Sequence, residues 1–291
     1  MFNKQNKPTW AFEDWWAPEI HKTLTGKFNV YFAARQSSDK RLAVGCAVSD
    51  SPNGPYTDIG HPIVTHDLGA IDATFFFDEN DDGGGDDGDD NGNNDGSGKQ
   101  YLIWKVDGNS VGKSTPIILQ ELSEDGTKLV GNQTVLIDHD MEWEGVLVEG
   151  PWLMKHDKMY YLFFSGGEFN KPSYAVGVAR SNQLKGPYEK ASAPIMSQNA
   201  DGASSQLFSG PGHCSVVKNV GMKKSDTYMI YHSWKRGGLG KSGRVTMVDK
   251  VWWNEDGWPI VGNSGTPTWK AQPNPTTEEA SRLEPVNRLI I

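Results

Sequence analysis

The stretch Met141-Glu142-Trp143-Glu144-Gly145-Val146-Leu147-Val148-Glu149-Gly150-Pro151-Trp152 is followed closely by Lys158-Met159-Tyr160-Tyr161-Leu162-Phe163-Phe164-Ser165-Gly166-Gly167. An acidic residue is held between apolar neighbours, a Gly-Pro break follows, and an aromatic run ends in small residues. That order predicts a carboxyl group at the end of a buried strand, and it makes Glu149 the leading functional residue. The aromatic run recurs. Tyr161-Leu162-Phe163-Phe164 is echoed by Tyr101-Leu102-Ile103-Trp104, by Tyr228-Met229-Ile230-Tyr231 and, more loosely, by Asn29-Val30-Tyr31-Phe32. The echoes start at residues 29, 101, 161 and 228, and self-similarity at such a period signals a repeat architecture.

Four units follow from this period. The first contains Lys27–Ala34 and Leu42–Val48, strands by their β-branched and aromatic content, and the turn Ser51-Pro52-Asn53-Gly54-Pro55-Tyr56. The second begins at Ala70-Ile71-Asp72-Ala73-Thr74-Phe75-Phe76-Phe77 and resumes at Gln100. The Gly/Asp/Asn run between them, 78–98, is too polar to bury anything and reads as a disordered hairpin tip without the spacing of a calcium loop. The third unit carries Glu149 and continues through Tyr174–Arg180 to Gly186-Pro187-Tyr188. Its Val-Gly-Val-Ala and Gly-Pro-Tyr segments parallel Val44-Gly45-Cys46-Ala47 and Gly54-Pro55-Tyr56. The fourth runs from Gly210-Pro211-Gly212-His213 to Trp258-Pro259, and residues after about 262 read as a tail.

Helical periodicity is almost absent. Several short strands per unit, repeated, predict an all-β chain of the β-propeller type, with about four blades recognisable and one domain over 1–291. Composition agrees: 33 Gly and 16 Pro supply turns, and 11 Trp supply core. The net charge of −9 argues against nucleic acid or an anionic membrane as partner. No apolar run is long enough to span a bilayer and no leader is visible, so a cytoplasmic protein is expected, or a secreted one if an N-terminal segment has been lost. In the secreted case Asn132-Gln133-Thr134 becomes a glycosylation acceptor. Cys46 and Cys214 have no metal or disulfide spacing and read as buried thiols.

In a propeller the opening strand of every blade lies near the axis and delivers side chains to a shared funnel. Units two, three and four place Asp72, Glu149 and His213 there. Unit one offers Trp16 at the same two-before-Pro position that Glu149 holds before Pro151. Paired carboxyl groups in an aromatic cavity suit glycoside hydrolysis, where one protonates the leaving oxygen and another activates water. Glu19, Glu142 and Glu144 are read as hydrogen-bonded structural or rim residues, and Trp252, Trp253 and Trp258 as core.

Trp16-Ala17-Pro18-Glu19, Ile71-Asp72, Glu149-Gly150-Pro151, Gly210-Pro211-Gly212-His213 and Asp256-Gly257-Trp258-Pro259 stand in this order across roughly 14–260. Together they resemble glycoside hydrolase family 43, the five-bladed propeller arabinofuranosidases, arabinanases and β-xylosidases. The resemblance implies an inverting enzyme acting on arabinose- or xylose-containing plant saccharides. Glu149 would be its general acid, and Asp72 the residue that raises the pKa of Glu149 and orients it. It implies that Trp16 is an aromatic wall of the sugar pocket and that Arg244 reaches a substrate hydroxyl. No cofactor is required; His213 would contact substrate and help hold a calcium or sodium ion at the axis, largely through water. The family's general base is an Asp upstream of the Trp-Ala-Pro segment. Residues 1–13 contain no Asp, so the first blade and the base are expected to be missing, with Asp14 the nearest substitute. The alternative reading is therefore a non-catalytic carbohydrate-binding propeller or a truncated inactive homologue.

Overall fold

A computed structural model describes residues 2, 6–79, 98–198, 207–218, 226–235, 243–262 and 265–268. The acidic run from residue 80 to 97 and most of the tail lie outside the described residues. The chain separates into two compact units, Met1–Leu136 and Ile137–Ile291.

The first unit holds two four-stranded antiparallel sheets, each in simple sequence order. One consists of β1 (Ala11–Lys22), β2 (Phe28–Gln36), β3 (Leu42–Ser49) and β4 (Thr57–Asp58). The other consists of β5 (Ala70–Asp78), β6 (Lys99–Val106), β7 (Ile117–Leu122) and β8 (Leu129–Ile137). The second unit repeats the plan with β9 (Val148–His156), β10 (Met159–Gly166), β11 (Ala175–Ser181) and β12 (Glu189–Lys190). Its last sheet is β13 (Phe208–Lys218), β14 (Thr227–Lys235), β15 (Val245–Trp253) and β16 (Pro259–Val261). These are the four expected units, each a meander of the propeller-blade kind. The fold is all-β of the β-propeller type.

The second strand is buried on both faces in three of the four sheets, β2, β6 and β10, which explains why their echoing segments are continuous apolar runs rather than alternating ones. Val30 to Ala34, Leu102 to Trp104 and Tyr160 to Phe164 are all buried. In the first unit Tyr31, Val44, Leu102, Trp104 and Ile118 share one core. In the second, Tyr161, Phe163, Val176, Met229 and Met247 share another. Cys46 and Cys214 are buried thiols in no disulfide. Trp253 and Trp258 pack partly buried against the core of the second unit. Trp252 departs from the core reading: it is 40% exposed, because strand alternation turns it away from the buried side chain of Val251.

Candidate active site

The opening strand of every sheet is bulged, and the bulges carry the candidate residues. Three residues of the opening strand face two of its neighbour at Trp16/Glu19, Ile71/Thr74, Glu149/Trp152 and Gly212/Ser215. Each bulge contains a residue in the left-handed region: Ala17 (φ 44°), Asp72 (φ 56°), Gly150 (φ 55°) and His213 (φ 48°). For a residue with a side chain this conformation costs about 1–2 kcal/mol, and strain of that kind gathers at functional positions. β1 and β13 each hold a second bulge nearer their start, at Asp14 and Gly210, both with φ 57°.

Register separates residues that the sequence pattern treated as equivalent. Trp16 and Glu149 immediately precede their bulge residues, whereas Asp72 and His213 are the bulge residues. Opposite the preceding positions, on the second strands, stand Ala33, Lys105, Ser165 and His232, paired with Trp16, Ile71, Glu149 and Gly212. Lys105, Ser165 and His232 went unread in the sequence. Their only signal is a polar residue at the end of an aromatic strand, and it becomes meaningful once the register is known.

In the first unit Asp72 is 7% exposed. Ile71, beside it, packs on Ala33, the partner of Trp16, so the β1 and β5 bulges are neighbours. Trp16 is 44% exposed and free to offer a ring face. Lys105 is 1% exposed, and its Nζ donates to Asn109 Oδ1 at 2.8 Å and to Asp107 Oδ1 at 3.3 Å. A lysine buried this deeply needs such partners. Asp14 is gripped by Arg35, whose Nε and Nη2 both lie 2.6 Å from Oδ2. Glu19 Oε2 accepts from Thr74 Oγ1 at 2.9 Å and lies 2.9 Å from His21 Nε2, tying β1 to β5.

In the second unit Glu149 is half-buried, and the phenol of Tyr174 donates to its Oε1 at 2.8 Å. Ser165 Oγ, fully buried, accepts the backbone N–H of His213 at 2.8 Å and so braces the β13 bulge against β10. Gly150 fits close over His213: a Cβ at Gly150 would stand 3.1 Å from the imidazole Cγ. His232 lies parallel to Tyr174 with centroids 6.0 Å apart, and 6.3 Å from the His213 ring. Its Nε2 accepts from Arg244 Nη1 at 2.7 Å. Burial, reinforced by the Arg244 charge and then by His213, pushes the His232 imidazole down to about 3, so it is neutral near pH 7. Arg244 is thus exposed but anchored, with its guanidinium 5.4 Å from the Phe169 ring centroid. Glu144, fully buried, caps its own 3₁₀ turn and takes Lys190 Nζ at 2.7 Å. Glu142 is exposed on the same turn.

A cavity of about 940 Å³ opens in this unit between the loop that leads into Glu149 and the loop that leads into Tyr174. Its walls include Met141, Trp143, Val146, Glu168 and Lys171. Among the described residues no group of three or more His, Cys, Asp or Glu side chains is disposed to hold a metal ion. Around His213 its unit supplies imidazole and guanidinium nitrogen, whereas calcium and sodium take oxygen ligands. An ion there would be held largely through water.

The family model for glycosyl hydrolases family 43 matches residues 1–84 and 89–259. The chain belongs to this family. This family 43 chain is 29% identical over 254 residues to the β-D-galactofuranosidase xynD of Aspergillus niger, covering 83% of itself and 63% of that protein. It is 26% identical to the extracellular exo-α-(1→5)-L-arabinofuranosidase of Streptomyces avermitilis, covering 85% of itself and 49% of that protein. It therefore spans roughly half to three-fifths of the length of these curated relatives. Among solved structures, a thermostable family-43 glycoside hydrolase superposes with a TM-score of 0.73 at 30% identity, over 92% of this chain and 80% of that one.

Proposed function

We propose that this family 43 chain is an inverting glycoside hydrolase that acts on α-L-arabinofuranosyl or β-D-xylosyl linkages of plant cell-wall saccharides. The observation that carries the reading is Glu149: a half-buried carboxyl at a bulge, held through one oxygen by a buried phenol. An acid in this role needs one oriented oxygen and partial removal from water. In the proposal Glu149 protonates the glycosidic oxygen, and Asp72, buried at its own bulge, has the pKa-modulating role that the family resemblance implies. Trp16 stacks on a sugar ring, while His213 and Arg244 contact sugar hydroxyls. Asp14 serves as base through Oδ1, since Arg35 occupies Oδ2. The cavity between the loops that lead into Glu149 and Tyr174 receives the remainder of the saccharide. Arabinofuranosyl and xylosyl substrates are favoured because relatives are named as an exo-arabinofuranosidase and a β-xylosidase. No cofactor is needed, and a calcium or sodium ion enters the proposal only as one held through water.

The test is turnover of aryl α-L-arabinofuranosides, aryl β-D-xylosides and the matching disaccharides by the purified chain and by Glu149→Gln. Wild-type turnover of the disaccharides that falls about 100-fold or more in the variant is expected for loss of a general acid, with a smaller loss on the aryl glycosides. An unchanged variant rate on the disaccharides removes Glu149 from the mechanism. Saccharide binding without wild-type turnover supports the non-catalytic reading instead, to which the Asp14–Arg35 pair lends weight.

A further inference from the structure

Tyr174 lies outside every motif that points to the family. It is 1% exposed, sits just ahead of β11, and is the side chain seen to hold Glu149. Its ring is fixed from two sides. Gly212 presses on one edge, where a Cβ would stand 2.0 Å from Tyr174 Cε1, and only glycine leaves room for that approach. His232 lies parallel to the ring, 5° from coplanar, and is itself anchored by Arg244. A phenol immobilised in this way has little freedom to turn its hydroxyl elsewhere.

From this geometry we propose that Tyr174 is a positioning residue which occupies Glu149 Oε1 and leaves Oε2 as the oxygen that carries the acid proton. The inference rests on the reading of Glu149 as general acid. A protonated carboxyl has one O–H and one carbonyl oxygen, and the carbonyl oxygen is the better acceptor for a donor hydroxyl. With Tyr174 donating to Oε1, the proton resides on Oε2. In the reaction the Oε2–H bond breaks and the proton goes to the glycosidic oxygen as its bond to the anomeric carbon cleaves, that bond's electron pair staying on the oxygen. Water adds to the anomeric carbon and loses a proton to the base. Without Tyr174 the donor that selects Oε2 over Oε1 is lost, and the acid is aimed less well.

The experiment compares Tyr174→Phe with wild type on two leaving groups. A sugar leaving group, as in a disaccharide, needs protonation, whereas a 2,4-dinitrophenolate leaves without it. The variant is expected to lose about 10-fold or more in kcat on the disaccharide, the scale of one hydrogen bond to an ionisable group. It should keep near wild-type kcat on the 2,4-dinitrophenyl glycoside, with KM little changed on both. Placing 3-fluorotyrosine at position 174 restores ring and hydroxyl together, so it should recover the disaccharide rate, which covers the case in which the phenylalanine variant folds poorly. Equal losses on both leaving groups, or no recovery with fluorotyrosine, overturn the proposal. Glu149→Gln in the same assay separates the two claims. If it shows the leaving-group dependence and Tyr174→Phe does not, only the role of Tyr174 falls; if it shows none, the acid reading falls and takes this one with it.

Discussion

The sheet β1–β4 and the sheet β9–β12 are close copies that differ where chemistry is expected. In each, a tryptophan stacks on a second-strand phenylalanine: Trp10 on Phe32 with centroids 6.1 Å apart, Trp143 on Phe164 at 5.8 Å. In each, a third-strand glycine, Gly45 or Gly177, makes room for that pair. Both continue into a Gly-Pro-Tyr turn whose tyrosine hydroxyl donates to a carbonyl four residues back, Tyr56 to Pro52 at 2.8 Å and Tyr188 to Leu184 at 2.9 Å. Even the stray bridges match, Val44 with Val64 and Val176 with Met196. Around the shared bulge, however, the first sheet reads Trp16-Ala17-Pro18-Glu19 and the third Glu149-Gly150-Pro151-Trp152. Tryptophan and glutamate have changed places across the same Ala/Gly-Pro pair. The scaffold accepts either order, so the position ahead of the bulge is a presentation point whose chemistry is set by the residue placed there.

The sharpest way to break this comparison is to remove the presented residue from each copy. Glu149→Gln should lower kcat by about 100-fold or more, whereas Trp16→Ala should raise KM about 10-fold with kcat nearly kept, as expected when a stacking surface is lost from ground and transition states alike. Steady-state kinetics on one saccharide decide it. A collapse of kcat in Trp16→Ala would mean that the two positions do not divide chemistry from binding.

How far the sequence reached depends on what kind of information each feature needs. The sheets were legible because continuous apolar runs, Gly-Pro turns and the repeat of Val-Gly-x-Ala are local signals. Asp72, Glu149 and His213 were legible as members of ordered motifs. Their one-residue offset was not, because a bulge shifts the face parity of a strand and leaves no mark beyond an Asp, a Gly or a His in a left-handed conformation. Lys105, Ser165 and His232 were hidden for a related reason: each matters through its partner across the ladder, and pairing is long-range. Tyr174 sits in an unremarkable Pro-Ser-Tyr segment whose hydroxyl gains meaning only when Gly212 and Glu149 are brought to it.

The repeat itself can be tested on stability. A Cβ at Gly45 would stand 2.4 Å from Phe32 Cζ, and one at Gly177 would stand 2.6 Å from Phe164 Cζ. Gly45→Ala and Gly177→Ala are each expected to cost about 1–3 kcal/mol, the usual cost of overfilling a packed interior. Urea unfolding midpoints measure both. A loss at one position with none at the other would show that the Trp–Phe–Gly packing is not the same device in the two sheets.

The finest difference between the copies is one hydroxyl. Ala33 stands opposite Trp16, and Ser165 stands opposite Glu149. Both positions are fully buried. In the third sheet the extra oxygen receives the His213 backbone N–H at 2.8 Å, a donor that the β13 bulge has turned out of its own ladder. Ser165→Ala removes that acceptor while keeping the volume of the first-sheet counterpart. A buried N–H left unpaired costs about 1–3 kcal/mol, so the variant should unfold at lower urea, and the His213 amide should exchange with deuterium faster than its neighbours. The reciprocal Ala33→Ser should also destabilise, since it buries a new hydroxyl that must find a partner in a site built around a methyl group. If Ser165→Ala is silent in both measurements, β13 holds its bulge unaided and the serine is a passive substitution. If it loosens His213 and lowers kcat on a disaccharide as well, the hydroxyl that separates the two copies is part of what turned one of them into a site.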